Sequence, residues 1–237
     1  MQKSIGALLK GVRVALDQLV FLPYCLLGEH FLPDGGQLVC TDCLAQLKTT
    51  PEPHRPFGLS ETESVLDDVV SYWEFSEDFR NLIHHLKYHQ KPKVGVLLGR
   101  YVAGAIAEHW QISEGWLVPV PLHPVRRRER GYNQSEFIAR GISQVSGLPV
   151  KTDVLIRSAY TKTQTHLSRE ERRSNLRDAF TVPRAYHSRL PQQTIILIDD
   201  VFTTGATLDS AARSLQGYRA SAIFGLTLGT VPLRPSP

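Results

Sequence analysis

The stretch TIILIDDVFTTGATLDSA, residues 194–211, limits what this chain can fold into more than any other. Its apolar run, residues 195–198, has the length and branching of a strand buried on both faces, which requires helices above and below the sheet. Asp199 and Asp200 follow at once. A loop at 201–206 comes next, then a helical pattern that sets Leu208, Ala211, Ala212 and Leu215 on one face and closes at Gly217. The pattern predicts an α/β domain.

Other segments agree. Ser76 has the chemistry of an N-cap, with Glu77 and Asp78 in the first turn and Phe79, Leu82, Ile83 and Leu86 at helical spacing. A second helix is predicted over 94–109. The apolar residues 116–122 read as a strand whose prolines place it at a sheet edge or a strand end, and 122–133 read as a loop. Asn133 and Glu136 have capping-box spacing for a helix through Val145. Residues 150–158 and 221–229 read as strands, and 159–177 as a polar, partly helical stretch. Strands alternating with helices give a mainly parallel sheet flanked by helices.

In such a sheet, ligands bind beyond the carboxyl ends of the strands. Asp199 and Asp200 stand at that edge, both expected to face solvent. Behind them, the N–H groups of the loop and helix start, with the hydroxyls of Thr203, Thr204 and Thr207, form a phosphate cradle. Gly205 and Ala206 keep that backbone accessible. Carboxylates beside a phosphate repel it unless they hold something else, such as sugar hydroxyls or Mg²⁺. Phosphate on one side and diol-accepting acids on the other describe a ribose 5-phosphate. A phospho-acceptor receiver would carry its acids near the first strand and a late lysine, whereas no lysine follows Lys162. A Walker B strand would need an upstream G-x-x-x-x-G-K-[ST] loop, which is missing from the sequence.

Charge is spread unevenly. Residues 121–177 hold twelve Lys/Arg against five Asp/Glu, which suits a phosphate-rich ligand or a nucleic acid, or simply a solvated face. No apolar run approaches the roughly 18 residues of a membrane span. The N-terminal segment is broken by Lys10, Arg13 and Asp17, so a cytoplasmic protein is expected. Cys25, Cys40 and Cys43 are the only cysteines, and Cys40 and Cys43 form a C-x-x-C pair of the kind that holds metal. Prolines at 51, 53 and 56 mark a linker, which divides the chain into a cysteine-bearing segment, 1–55, and a main domain, 56–237.

The sequence IILIDDVFTTGATL resembles the signature of type I phosphoribosyltransferases, which bind 5-phosphoribosyl-1-pyrophosphate (PRPP). VPVPLHPVRRRERGYNQSE, the run from Thr161 and Gln164 through Leu167, Arg172 and Asn175 to Ala179-Phe180, and LIHHLKYH together resemble the ComF (ComFC/GntX-like) family within that group. The likeness covers about residues 60–230 and, more weakly, the cysteine segment. It implies a type I phosphoribosyltransferase-like fold behind a degenerate zinc-ribbon-like segment. It implies PRPP binding with Mg²⁺ by Asp199, Asp200, Val201, Thr203, Thr204, Gly205, Ala206 and Thr207. Arg126, Arg127 and Arg128 become candidates for the pyrophosphate, and Thr161, Gln164, Arg169 and Arg172 for a hood over the site, the two arginines together with the aspartates being the catalytic candidates. The family's cysteine ribbon holds Zn²⁺ with four thiolates. Here Gly28 stands where the second cysteine is expected, so His30 or another group completes the set with Cys25, Cys40 and Cys43, or the metal has been lost. The implied role is a phosphoribosyltransferase of unidentified acceptor, linked to competence, DNA uptake or DNA utilisation. A PRPP sensor without catalysis, and an accessory factor that binds single-stranded DNA or competence-machinery proteins, remain open beside it.

Overall fold

The computed structural model describes residues 24–28, 30–32, 38–50, 64–88, 91–157, 179–190 and 192–231. The chain separates into two units, Met1–Leu47 and Lys48–Pro237. The domain boundary expected at 55/56 falls within residues 51–63, which lie outside the described ones, as do the hood candidates Thr161, Gln164, Arg169 and Arg172. Among the described residues no helix is long and apolar enough to cross a membrane.

In the first unit, helix α1 (Thr41–Ala45) starts at Cys40, whose sulfur accepts the N–H of Cys43. An antiparallel bridge between Tyr24 and Phe31 closes the turn that carries Cys25 and Gly28. Leu32, Val39, Leu44 and Leu47 are buried.

The second unit contains strands β1 (Asp68–Glu74), β2 (Trp116–Pro119), β3 (Ile156–Arg157), β4 (Phe180–Thr181), β5 (Thr194–Phe202) and β6 (Ala222–Thr230). Four of them form a sheet in the order β1-β6-β5-β2, every pairing parallel, while β3 and β4 form a short antiparallel ribbon. Its described α-helices are α2 (Glu77–Tyr88), α3 (Pro92–Val102), α4 (Gly104–Trp110), α5 (Pro124–Arg130), α6 (Gln134–Ser146) and α7 (Ala206–Gln216). The mainly parallel sheet flanked by helices is the expected architecture. β5 lies between β6 and β2, so Ile195, Ile196, Leu197 and Ile198 are all fully buried. Helix α2 opens as expected, with Ser76 Oγ accepting the Phe79 N–H at 3.2 Å.

Four elements differ from the sequence reading. β1 was not anticipated. Its flanking acids and central Ser71 hide the strand, but Ser71 Oγ is buried and bonded to Thr227 Oγ1 of β6 at 2.7 Å. The helix predicted over 94–109 is two helices that meet at Ala103. Residues 150–158 supply only an isolated bridge from Val150 to Leu117 and the two residues of β3. The expected loop after β2 contains α5, which begins at Pro124 with His123 Nδ1 accepting the Val125 N–H at 3.3 Å and ends at Gly131, φ 78°. No residue of α5 is buried, so it carries no apolar stripe from which a helix could be read.

Helices α3 and α6 touch backbone to backbone. A Cβ on Gly99 would overlap the carbonyl oxygen of Ile138, and one on Gly141 would overlap that of Val96. This approach fixes the start of α6, which faces the end of β5.

Candidate functional site

β5 outruns β2. Pro119 pairs with Ile198, and beyond it the flank of β5 is met by the first turn of α6. Asn133 Nδ2 donates to the Val120 carbonyl at 3.0 Å, and its Oδ1 accepts the Ser135 N–H at 3.2 Å. The same turn then reaches both acids. Ser135 Oγ donates to Asp199 Oδ1 at 3.2 Å, and Gln134 Nε2 donates to Asp200 Oδ2 at 2.7 Å. Lys87, at the end of α2, donates to Asp200 Oδ1 at 2.8 Å. Tyr132 Oη donates to the Leu86 carbonyl and ties the α5–α6 turn to α2.

This arrangement corrects the expectation for the acid pair. Asp200 is 5% exposed and its two oxygens are taken by Lys87 and Gln134. It is an internal ion pair, not a solvent-facing carboxylate. Successive side chains of a strand point to opposite faces, so two adjacent aspartates cannot both look into one crevice. Asp199 keeps a partly exposed position. Lost hydration first, and the charge of Asp200 second, push its carboxyl up from the ordinary value to about 7, against the lowering effects of the Asp200 N–H, Lys87 and Ser135.

The expected loop is shorter than 201–206, because β5 runs on through Phe202 and α7 begins at Ala206. Thr203 and Thr204 are exposed, Gly205 is buried, and Val201, Ala206 and Thr207 are half-buried. Gly205 sits at the N-cap of α7 with φ 72°, and no side chain caps that end. Asp209, the acid in the first turn, pairs instead with Arg213 at 2.7 Å. Among the described residues, the leading N–H groups of α7 meet one side chain, Thr204 Oγ1, which accepts the Ala206 N–H at a long 3.5 Å, and the helix dipole adds partial positive charge there.

All three candidate arginines lie on α5 and are exposed. They do not share one location: Arg126 lines a cleft of about 370 Å³ with Lys87, Tyr88, Glu129 and Arg130, whereas Arg127 and Arg128 do not line it. Arg130 stacks over Tyr88 at 5.3 Å and donates to Gln134 Oε1 at 3.0 Å, which links the cleft wall to Asp200 through one glutamine.

Three residues of the site escaped the sequence reading. Lys87 and Gln134 fall in stretches that carried the family resemblance, but nothing in their spacing announces Asp200 as their partner. The third, Arg157 of β3, has a buried Nε without a hydrogen-bond partner among the described residues, and its guanidinium lies 5.2 Å over the Phe180 ring. Burial holds Arg157 below its ordinary pKa, Asp199 opposes that shift and Arg126 adds to it, so the three groups share one electrostatic neighbourhood. A single arginine in a short strand gives no sequence signal. On α2, His84 is exposed and lies against the Tyr88 ring at 4.9 Å with the planes tilted by 42°, a helix-surface pair.

In the first unit the three cysteines converge. One ligand atom from each lies within 4.8 Å of the others. The Cys40 N–H donates to Cys25 Sγ and the Cys43 N–H to Cys40 Sγ, both at 3.4 Å, the bonding that steadies thiolates around a metal. His30 Nε2 stands 3.4 Å from Cys43 Sγ. Three soft thiolates are donors that fit Zn²⁺, and His30 stands beside one of them as a candidate fourth.

No protein-family model matches the chain. It is 27% identical over 221 residues to competence protein F of Haemophilus influenzae (strain ATCC 51907 / DSM 11121 / KW20 / Rd), covering 86% of this chain and 94% of that one. It is 28% identical over 216 residues to the DNA utilization protein YhgH of Escherichia coli (strain K12), covering 84% and 93%. The chain is a homologue of these proteins. Among solved structures it is similar to the glutamine PRPP amidotransferase from B. subtilis, with TM-score 0.41 and 16% identity, over 61% of this chain and 30% of that one.

Proposed function

We propose that the chain binds PRPP together with Mg²⁺ and acts as a phosphoribosyltransferase-type protein in competence or DNA utilisation, the processes named for its relatives. The observation that carries this reading is the juxtaposition at the end of β5. A partly exposed carboxylate, Asp199, precedes by a few residues a helix start whose N-cap is a glycine without a capping side chain. The 5-phosphate is assigned to the N–H groups of residues 203–207 with the hydroxyls of Thr203, Thr204 and Thr207. Asp199 is assigned to the ribose hydroxyls or the cation, with Arg126 and Arg157 toward the pyrophosphate. Asp200 takes a different part from the one its sequence implied: through Lys87 and Gln134 it fixes the geometry of the strand end. Bound Mg²⁺ would supply charge neutralisation for the departing pyrophosphate, for which no general base is needed.

Incubation with PRPP, Mg²⁺ and a panel of nucleobases and amines tests the transferase assignment. Acceptor-dependent release of pyrophosphate is expected, and its loss in Arg126→Ala would place that arginine on the leaving group. PRPP binding with no release for any acceptor would instead make the protein a sensor. Exposed Arg127 and Arg128, which do not line the cleft, favour one second reading, a contact with single-stranded DNA. That reading requires binding that falls steeply with salt and weakens in Arg127→Ala/Arg128→Ala.

A further inference from the structure

We infer that His30 is the fourth ligand of a Cys3His zinc site and that the glycine at position 28 is what admits it. A tetrahedral zinc with Zn–S of about 2.3 Å and Zn–N of about 2.0 Å sets its sulfur and nitrogen ligands roughly 3.5 Å apart. His30 Nε2 and Cys43 Sγ are 3.4 Å apart, and Cys43 belongs to the cluster formed with Cys25 and Cys40. His30 Nε2 thus stands at ligand spacing from one of the three clustered sulfurs, and the space around position 28 explains why a histidine can reach it.

Cys40 and Cys43 present their sulfurs three residues apart. Position 28 stands in the same relation to Cys25, and its Cα points into the same space. A Cβ built on Gly28 would lie 2.8 Å from Cys43 Sγ and would overlap both Nε2 and Cε1 of the His30 ring. The imidazole therefore fills the volume that any side chain at position 28 would need. The two are alternatives: a ligand reaching in from 28, or a ligand reaching in from 30 across a residue without a Cβ. The backbone supports the second route, because the Cys25 N–H donates to the His30 carbonyl at 2.9 Å and holds residue 30 beside the first cysteine. Exchanging one thiolate for a neutral imidazole leaves a site with net charge of −1 with Zn²⁺ instead of −2.

The inference rests on the cysteine cluster and not on the sugar-phosphate reading, so a chain that binds PRPP without zinc would refute it and leave that reading intact. The test uses the full chain, purified without chelators, with bound zinc measured by elemental analysis, affinity by chelator competition and ligand type by the cobalt-substituted spectrum. The wild-type chain should hold one zinc. His30→Ala should weaken zinc by at least about tenfold. Gly28→Ala, which removes no donor atom, should also weaken it by crowding the imidazole out. Gly28→Cys/His30→Ala should restore affinity, with a cobalt spectrum richer in thiolate charge transfer than the wild type. Zinc-free wild-type protein, unchanged affinity in His30→Ala, or failure of Gly28→Cys/His30→Ala to rescue it would each overturn the inference.

Discussion

Replacing Lys87 by Met should cost roughly 2–4 kcal/mol of stability in denaturant unfolding, the largest effect expected of any substitution outside the apolar core. Lys87 and Asp200 form an ion pair that joins α2 to the sheet, and their side chains are 21% and 7% exposed. Removing the ammonium leaves a buried carboxylate with only the Gln134 amide for compensation. The side-chain exposure of Lys87 admits some water, which keeps the expected cost below that of a fully enclosed pair. Asp200→Asn should cost less, because the freed ammonium is close enough to solvent to hydrate. The Lys87→Met/Asp200→Asn double variant should recover most of the loss, since it removes both charges together. If the double variant is no more stable than Lys87→Met alone, Asp200 is not held by this pair.

Asp199 should make stability depend on pH in the direction opposite to an ordinary salt-bridged acid. Its carboxyl is raised to about 7 in the folded chain. Between about pH 4 and pH 7 the native state therefore holds a proton that the unfolded chain has already released. Its contribution is complete below the unfolded value and is lost as pH rises through 7. Asp199→Asn, which cannot ionise, should be nearly neutral at the acid end of this window. By pH 8 it should be more stable than the wild type by on the order of 2 kcal/mol, about half of what a rise from about 4 to about 7 gives in full, because Asp199 keeps some contact with solvent. Mg²⁺ should narrow that difference at pH 8 if it binds the ionised carboxylate. A stability difference that stays flat from pH 5 to 8 would contradict the assigned environment of Asp199.

How much of this was legible in the sequence varied with how local the physics was. The strand at 195–198, the loop after it and a helix beginning within one residue of Ala206 are local features, and an apolar run, a glycine and an amphipathic repeat disclose them. The partners of Asp200 are not local. Lys87 and Gln134 lie 113 and 66 residues away in the chain, and only the fold brings them to one carboxylate. The same holds for Arg157 beside Asp199. Strand alternation could have warned that adjacent aspartates diverge, and it is the one general rule that would have separated their roles. Helix α5 was hidden for another reason: a helix with no buried face leaves no periodic trace. His30 was legible by residue type, whereas its exclusive relation to Gly28 needed the direction of one Cα–Cβ vector.

The central claim is that the turn after β5 holds a sugar phosphate with Asp199 beside it. Calorimetric titration of the full chain with PRPP in Mg²⁺ tests it most directly. The account predicts saturable binding to one site per chain, weakened by on the order of a hundredfold in Asp199→Asn, with the same loss for ribose 5-phosphate. Absence of binding by the folded wild-type protein, or full affinity in Asp199→Asn, would contradict it.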